Sequence, residues 1–438
     1  MSWLSEPKKG AARRSGIITV LDVGSSKVCC IIARLMPAEE GRALRHRTHR
    51  VKVIGIGHQQ SQGMKSGVIV DLDRAEEAIR LAVDAAERMA GLTVDSLIVN
   101  VSAGRLRSET ISASINLGGH EVAQSDINRV LAAGARQGLE TEREVVHSLA
   151  TGFSLDAERG IRDPRGMVGA ELGVDMHILT ADAAPLRNLE LCINRSHLSV
   201  ERMVATPYAS GLAALVDDEA QMGAACIDMG GGTTTISVFA EGKFVWADAL
   251  PVGGNHVTMD LVRGLSARLE DAERLKVMHG SALISSSDDR DIVSIHPMGA
   301  DPGEQPIQVP RAVMTRIIRA RIEETLEMVR DKLNRSGYGG LVGRRVVLTG
   351  GASQLVGLPE ATRRLFGRNV RLGRPLGVAG LPEAAKGAAF SASVGLLIYP
   401  QVAEFENRGR SGKSGIFTRA TGTGGRFQRV SQWLRSNF

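Results

Sequence analysis

"IDMGGGTTT" (Ile227–Thr235) and, 206 residues earlier, "LDVGSSK" (Leu21–Lys27) follow one plan. An apolar run stops at an aspartate, a glycine turn carries hydroxyls, and a second apolar run begins. The flanking runs "GIITVLDVG" and "KVCCIIARL" read as the two strands of a hairpin, and "GAACIDM" and "TTISVF" as those of another. A glycine-tipped hairpin presents consecutive backbone N–H groups, with serine or threonine hydroxyls, to an anion. The aspartate beside it can hold a magnesium ion through water. Two such hairpins facing each other would clamp the phosphates of a nucleotide from both sides. Either one alone reads more readily as a plain hairpin turn; a third glycine turn, "LTGGAS" (348–353), in the same order, makes the set much harder to obtain by accident.

Between these units the chain alternates strand and helix signals. "DLDRAEEAIRLAVDAAERMAG" (71–91) reads as a helix opened by aspartate and stopped by Gly91, and "SLIVNVS" (96–102) as a buried strand. From residue 105 to about 180 a small mixed module fits, with strand-like "SETISASINL", helical "AQSDINRVLAAGARQG" (123–138) and a closing strand "DMHILTA". Helical "APLRNLELCINRSHL" follows, then "PYASGLAAL". A long helix, "TRIIRARIEETLEMVRDKLNRSG", puts Ile318, Ile322, Leu326, Val329 and Leu333 on one face.

Composition bounds the rest. A chain of 438 residues suggests two to four domains. Four cysteines, Cys29, Cys30, Cys192 and Cys226, sit in apolar runs without C-x-x-C spacing and read as buried thiols of a reducing cytosol. No stretch approaches a transmembrane span, and "MSWLSEPKKGAARRSG" lacks the apolar core of a signal peptide. The net charge of +6 is held at the ends: residues 1–16 and 408 onward carry +10, leaving −4 on the body, which argues against nucleic-acid binding. There is no H-E-x-x-H and no G-x-S-x-G. "NRGRSGKS" (407–414) misses a phosphate-binding loop at Asn407 and has no strand before it.

The order of hairpin, "PYASGLAAL" helix, hairpin and "LTGGAS" resembles the actin, Hsp70 and sugar-kinase superfamily. More closely the chain resembles the FtsA family of actin-like bacterial cell-division proteins. The residues that carry this are "GMKSGVIVDL" (63–72), "GIRDPRGMVG" (160–169), "IDMGGGTTTISVF" (227–239), "DAERLKVMHGSAL" (271–283), "LTGGASQLVGL" (348–358) and "SASVGLLIY" (391–399). The resemblance implies an α/β, duplicated actin-like (ribonuclease H-like) fold. Its first lobe would be 17–104 with 181–218, interrupted by a family-specific subdomain at 105–180. The second lobe would be 219–264 with 338–400, interrupted by a subdomain at 265–337. A basic extension (1–16), a flexible linker (401–424) and an amphipathic membrane-targeting helix (425–438) complete it.

It further implies ATP and magnesium, with Asp22 and Asp228 orienting the ion. Gly24, Ser25, Ser26 and Lys27 would hold phosphates on one side, and Gly230, Gly231, Gly232, Thr233 and Thr234 on the other. Glu273 and Lys276 would line the nucleoside pocket, although their i, i+3 spacing by itself reads first as an exposed helix ion pair. Gly350, Gly351 and Ala352 would pack under the base. Faster ATPases of the superfamily carry a water-positioning acid or amide near the start of the "PYASGLAAL" helix. Here Thr206 stands before Pro207, which implies slow or conditional hydrolysis. Arg316, Arg319 and Arg321 read as a solvated face, whereas the resemblance points to a site for the acidic C-terminal peptide of FtsZ, with Arg321 favoured. Self-assembly into filaments, recruitment of later division proteins and a place on the cytoplasmic side of the inner membrane at the septum are also implied. A small-molecule kinase of the same superfamily, or a chaperone or pilus-assembly relative, is the competing reading.

The tail adds its own argument. On a helix Phe427, Val430, Trp433, Leu434 and Phe438 fall within an arc of about 140°, with Arg429 and Arg435 at its edges to reach lipid headgroups. The same face could instead dock on the protein's own body.

Overall fold

The aspartate–glycine hairpins do form, and each seeds a sheet. The computed structural model describes residues 16–37, 49–102, 105–136, 142–299, 304–343 and 345–406. In the first lobe β1 (Gly16–Val23) turns into antiparallel β2 (Lys27–Pro37), which pairs with β3 (His49–Gln60). Helix α1 (Leu72–Ala90) follows; the Asp71 side chain accepts from Arg74 N at 3.2 Å, and Gly91 ends the helix in the left-handed region at φ 67°. Its buried face is mostly alanine, and it lies directly on β3. Side chains at Gly55 and Gly57 would strike Ala86 O and Ala82 O at 2.3 and 2.1 Å. Strand β4 (Ser96–Val101) then returns parallel to β1.

The chain next builds a separate four-stranded sheet from β5 (Arg107–Asn116), β6 (Arg143–Leu155), β7 (Glu158–Ile161) and β8 (Glu171–Asp182), with α2 (Gln124–Ala135) between the first two. Val130, Leu172, Val174 and Met176 form its own small core. Strands β6 and β7 escaped sequence reading because β6 is half-buried along most of its length and shows no clean alternation. Helix α3 (Ala183–Arg195) and β9 (Ser199–Ala205) return to the first sheet, where β9 pairs parallel to β4.

Helix α4 (Thr206–Ala214) crosses to the second lobe, which repeats the first. There β10 (Ala224–Met229), β11 (Thr234–Ala240) and β12 (Lys243–Leu250) form an antiparallel meander, and β13 (Arg345–Thr349) and β14 (Asn369–Leu372) add parallel to it. The orders β9-β4-β1-β2-β3 and β14-β13-β10-β11-β12 are therefore the same topology used twice. Helices α5 (Gly254–Leu265), α6 (Leu269–His279) and α7 (Arg311–Arg335) pack on the second lobe. Ile318, Ile322, Leu326, Val329 and Leu333 of α7 are all buried there, as their spacing predicts.

The last helix, α8 (Ser391–Glu406), corrects one expectation. The linker expected from residue 401 begins no earlier than the end of this helix. Gln401 is fully buried and its Oε1 accepts from His49 N at 3.1 Å, which holds the helix on the first sheet past Pro400. The rest of the expected linker and the whole of 425–438, with Phe427, Arg429, Val430, Trp433, Leu434, Arg435 and Phe438, lie outside the described residues. Among the described residues no helix is long and apolar enough to cross a membrane.

Candidate functional site

The two hairpins are superposable in register. Asp22 pairs with Cys29 and Val23 with Val28; 206 residues on, Asp228 pairs with Thr235 and Met229 with Thr234. Each loop is closed by the same bond, Gly24 N to Lys27 O at 3.0 Å and Gly230 N to Thr233 O at 2.8 Å. The tips meet across the two lobes. A Cβ on Gly232 would lie 2.4 Å from Ser25 Oγ, and one on Gly231 would lie 3.0 Å from Ser26. Only glycine lets the backbones approach this closely.

Not every expected phosphate contact points to the tips. Thr234 opens strand β11, is fully buried and donates its hydroxyl to Val252 O at 2.8 Å, so it anchors the segment before α5. Ser25 Oγ accepts from Gly67 N at 3.0 Å. Lys27 stretches away from its own hairpin: Nζ donates to Ala389 O, lies 4.4 Å over the Phe390 ring and stands 3.9 Å from Asp22 Oδ2.

The two aspartates are buried and held from behind. Asp22 Oδ1 accepts from Asn100 Nδ2 at 2.8 Å, and Oδ2 from Ser393 Oγ at 2.6 Å. Asn100 stands on β4 beside Asp22, and its Oδ1 accepts from Val23 N at 2.7 Å. Its Nδ2 also reaches Ser102 Oγ and Thr206 Oγ1, both at 3.2 Å, and those hydroxyls lie 2.8 Å apart. Asp228 Oδ2 accepts from Ser210 Oγ. Burial pushes the Asp228 carboxyl up to about 6; the Ser210 hydrogen bond opposes the rise, while the negative charge of Asp22 adds to it and Lys27 opposes it. Two buried carboxylates, with no third His, Cys, Asp or Glu converging on them among the described residues, fit a hard cation that keeps its own water shell.

Around the second hairpin the remaining expected residues gather. Gly254 N and Asn255 N, at the start of α5, donate to Gly230 O and Gly231 O at 2.9 and 2.7 Å. Lys276 Nζ donates to Gly254 O at 3.2 Å, to Thr258 Oγ1 at 2.9 Å and to Glu273 Oε2 at 2.6 Å. The Glu273–Lys276 pair is thus a helix ion pair that is also bonded to the neighbouring helix beside the glycine loop. A Cβ on Gly254 would stand 3.2 Å from that of Ala352, and one on Gly350 would strike Asp228 Oδ1 at 2.2 Å. Gly351 opens the short turn Gly351–Gln354 between them. Glycines, lysine and aspartate from the β10–β11 hairpin, α5, α6 and the turn after β13 therefore meet at one place.

Arg321 and Arg316 of α7 differ sharply. Arg321 is engaged by Asp260 at 2.5 Å and Glu324 at 2.5 Å. Arg316 is exposed, donates Nε to Ala312 O at 3.2 Å, and forms no ion pair among the described residues.

Sequence reasoning missed Asn100, Ser210 and Ser393. A polar residue inside an apolar buried run was the available signal, lone at Asn100 and Ser210 and paired with Ser391 at Ser393, since a buried polar group needs a partner. It also missed two histidines that fasten the inserted sheet to both lobes. His147 of β6 accepts from Ala205 N at 3.0 Å, one residue before Thr206, and packs edge-on against Tyr208 and Tyr399 at 5.1 and 5.7 Å. His177 of β8 donates through Nδ1 to Phe244 O at 3.0 Å and accepts at Nε2 from Ser108. Burial holds both neutral, at about 3 and about 4.

Comparison with known proteins finds relatives along nearly the whole chain. The family model described as "Cell division protein FtsA" matches residues 225–395, and that of the "SHS2 domain inserted in FTSA" matches 103–180. The chain is 64% identical over 427 residues to the cell division protein FtsA of Rhizobium meliloti, covering 98% of this chain and 96% of that one. It is 30% identical over 429 residues to that of Pseudomonas aeruginosa, covering 98% and 100%. Among solved structures, the PilM-PilN type IV pilus biogenesis complex aligns with a TM-score of 0.60 at 14% identity, covering 88% of this chain and 98% of that one. MreB5 of Spiroplasma citri bound to ADP aligns with a TM-score of 0.53 at 12% identity, covering 90% and 99%. These two share the actin-like fold.

Proposed function

Because this chain belongs to the FtsA family of bacterial cell-division proteins, we propose that it is an ATP-dependent, actin-like polymer whose C-terminal tail tethers the FtsZ ring to the inner membrane. ATP lies with its phosphates along the seam where the two hairpin tips meet, beside Asp22 and Asp228. Asp22 and Asp228 hold a magnesium ion through water, and the ion neutralises phosphate charge. Gly24, Ser25 and Ser26 face the phosphates from one side, and Gly230, Gly231, Gly232 and Thr233 from the other, while the Lys27 side chain is held by Ala389 O and stands beside Asp22. Glu273 and Lys276 border the nucleoside, with Gly350, Gly351 and Ala352 beneath the base. The observation that carries this reading is the pair of hairpins with identical register meeting tip to tip. The nucleotide named for the Spiroplasma citri protein, ADP, supports it by likeness of fold.

Thr206 cannot accept a proton as a carboxylate does, so hydrolysis is slow and ATP acts chiefly by closing the lobes. The inserted subdomain contacts the next protomer and later division proteins. The acidic C-terminal peptide of FtsZ docks on the subdomain carrying α7, where Arg316 is exposed with no ion pair among the described residues and Arg321 is already engaged.

One tail binds weakly. Burying each apolar side chain is worth at most about 1.5–3 kcal/mol, and ordering a helix of this length offsets much of it. A filament presenting many tails holds firmly through effective concentration. The test is electron microscopy on an anionic lipid monolayer with ATP, using the full chain and a chain lacking 425–438. Filaments that need both ATP and the tail support the reading; an ATP-binding protein that forms none on lipid overturns it. An Arg316→Glu chain that still binds the FtsZ peptide at wild-type affinity removes the docking assignment.

A further inference from the structure

Helices α4 and α8 each join the lobes. Helix α4 continues β9 of the first sheet and packs on β10 and β11 of the second. Helix α8 begins against the second lobe, where Ser391 Oγ lies 2.6 Å from Thr349 Oγ1, and packs on β1 and β4 of the first. They cross in backbone contact: a Cβ on Gly395 would lie 1.8 Å from Ala209 O. The residue after Ala209 is Ser210, and two residues before Gly395 is Ser393. Both are fully buried, and each donates to one oxygen of a hairpin aspartate, Ser210 to Asp228 and Ser393 to Asp22.

We propose that Ser210 and Ser393 are paired positioning residues, which set the Asp228 and Asp22 carboxylates for the magnesium–nucleotide complex and tie their orientation to the point where the lobe-joining helices cross. A hydroxyl that donates to one carboxylate oxygen fixes the side-chain rotation and leaves defined lone pairs towards the cleft. Burial makes the bond hard to replace, since no water reaches it once the hydroxyl is gone. The arrangement is reciprocal. A change in how α4 and α8 cross moves both serines, and so moves the two aspartates together.

This inference rests on the proposed reading of Asp22 and Asp228, and the experiment separates the two. Affinity for a fluorescent ATP analogue is measured with magnesium and with EDTA, for the wild-type chain, Ser210→Ala, Ser393→Ala and the two serine-to-threonine chains. A positioning role predicts that each alanine chain loses about tenfold or more of the magnesium-dependent gain. Its affinity in EDTA stays within about twofold, and threonine, which keeps the hydroxyl, restores the gain. If wild type gains nothing from magnesium, the reading of the aspartates and this proposal fall together. If wild type gains and the alanine chains gain equally, the proposal alone is overturned. It is overturned too if affinity in EDTA drops as much as affinity in magnesium, because that marks a merely structural role. Should an alanine chain fail to fold, serine-to-cysteine keeps the volume with a much weaker donor and must show the same magnesium-specific loss.

Discussion

Replacing Asp228 by asparagine should make the nucleotide-free protein more stable while removing its response to magnesium and ATP. The carboxyl is pushed from the ordinary 3.8 up to about 6 in the fold. A carboxyl whose folded value lies above its unfolded value binds its proton more tightly when folded. Its favourable contribution is present at low pH and is lost as pH climbs from about 3.8 through about 6. At pH 7 the buried charge therefore costs about 3 kcal/mol, and at pH 5 roughly half of that. Asparagine keeps the shape and an acceptor for Ser210 without the charge, so up to this amount returns as stability. The measurement is thermal or urea unfolding of both chains at the two pH values, without nucleotide. Only the difference between the chains is compared, because other groups titrate in both. The expected result is an asparagine chain that unfolds later at pH 7, with an advantage that shrinks by roughly half at pH 5. Adding magnesium and ATP should then raise the wild-type midpoint and leave the variant's in place. An asparagine chain no more stable than wild type at pH 7, or an advantage independent of pH, would refute the claim that burial strains this carboxylate.

Two other outcomes are expected. Gly395→Ala places a methyl 1.8 Å from Ala209 O, so α4 and α8 must separate, at a cost of roughly 1–3 kcal/mol or more; an unchanged melting temperature would contradict the backbone contact. His147, held at about 3 against an ordinary 6.5, contributes stability above pH 6.5 that is lost as pH falls towards 3. Acidification to about pH 4.5 should cost about 3 kcal/mol from this group, and His147→Gln, which offers Ala205 N an acceptor without titrating, should show a shallower acid loss in unfolding curves.

Much of the site was legible because its chemistry is local. A strand ending in Asp-x-Gly, with a hydroxyl-bearing residue among the next three, specifies its own turn, and the same Asp-x-Gly spacing repeated 206 residues later yields the same register in both hairpins. The periods of α1 and α7 were equally plain, since their buried faces repeat within a few residues. Thr234 shows the limit. It belongs to the motif by position, but strand pleating turns its side chain inward to Val252.

By itself, then, the sequence determined the duplicated hairpins, their order with the third glycine turn, the family, and the amphipathic pattern of the tail. Only the tertiary structure decided what stands behind the aspartates. Ser393 and Asp22 are 371 residues apart, Asn100 and Asp22 78, and His147 and Ala205 58. It also decided that Arg321 is already paired with Asp260 and that α8 runs past Pro400. The reason is physical. Turns and helical faces are set by neighbours along the chain, whereas the partner of a buried polar group is chosen by packing between elements, which no short stretch of sequence contains.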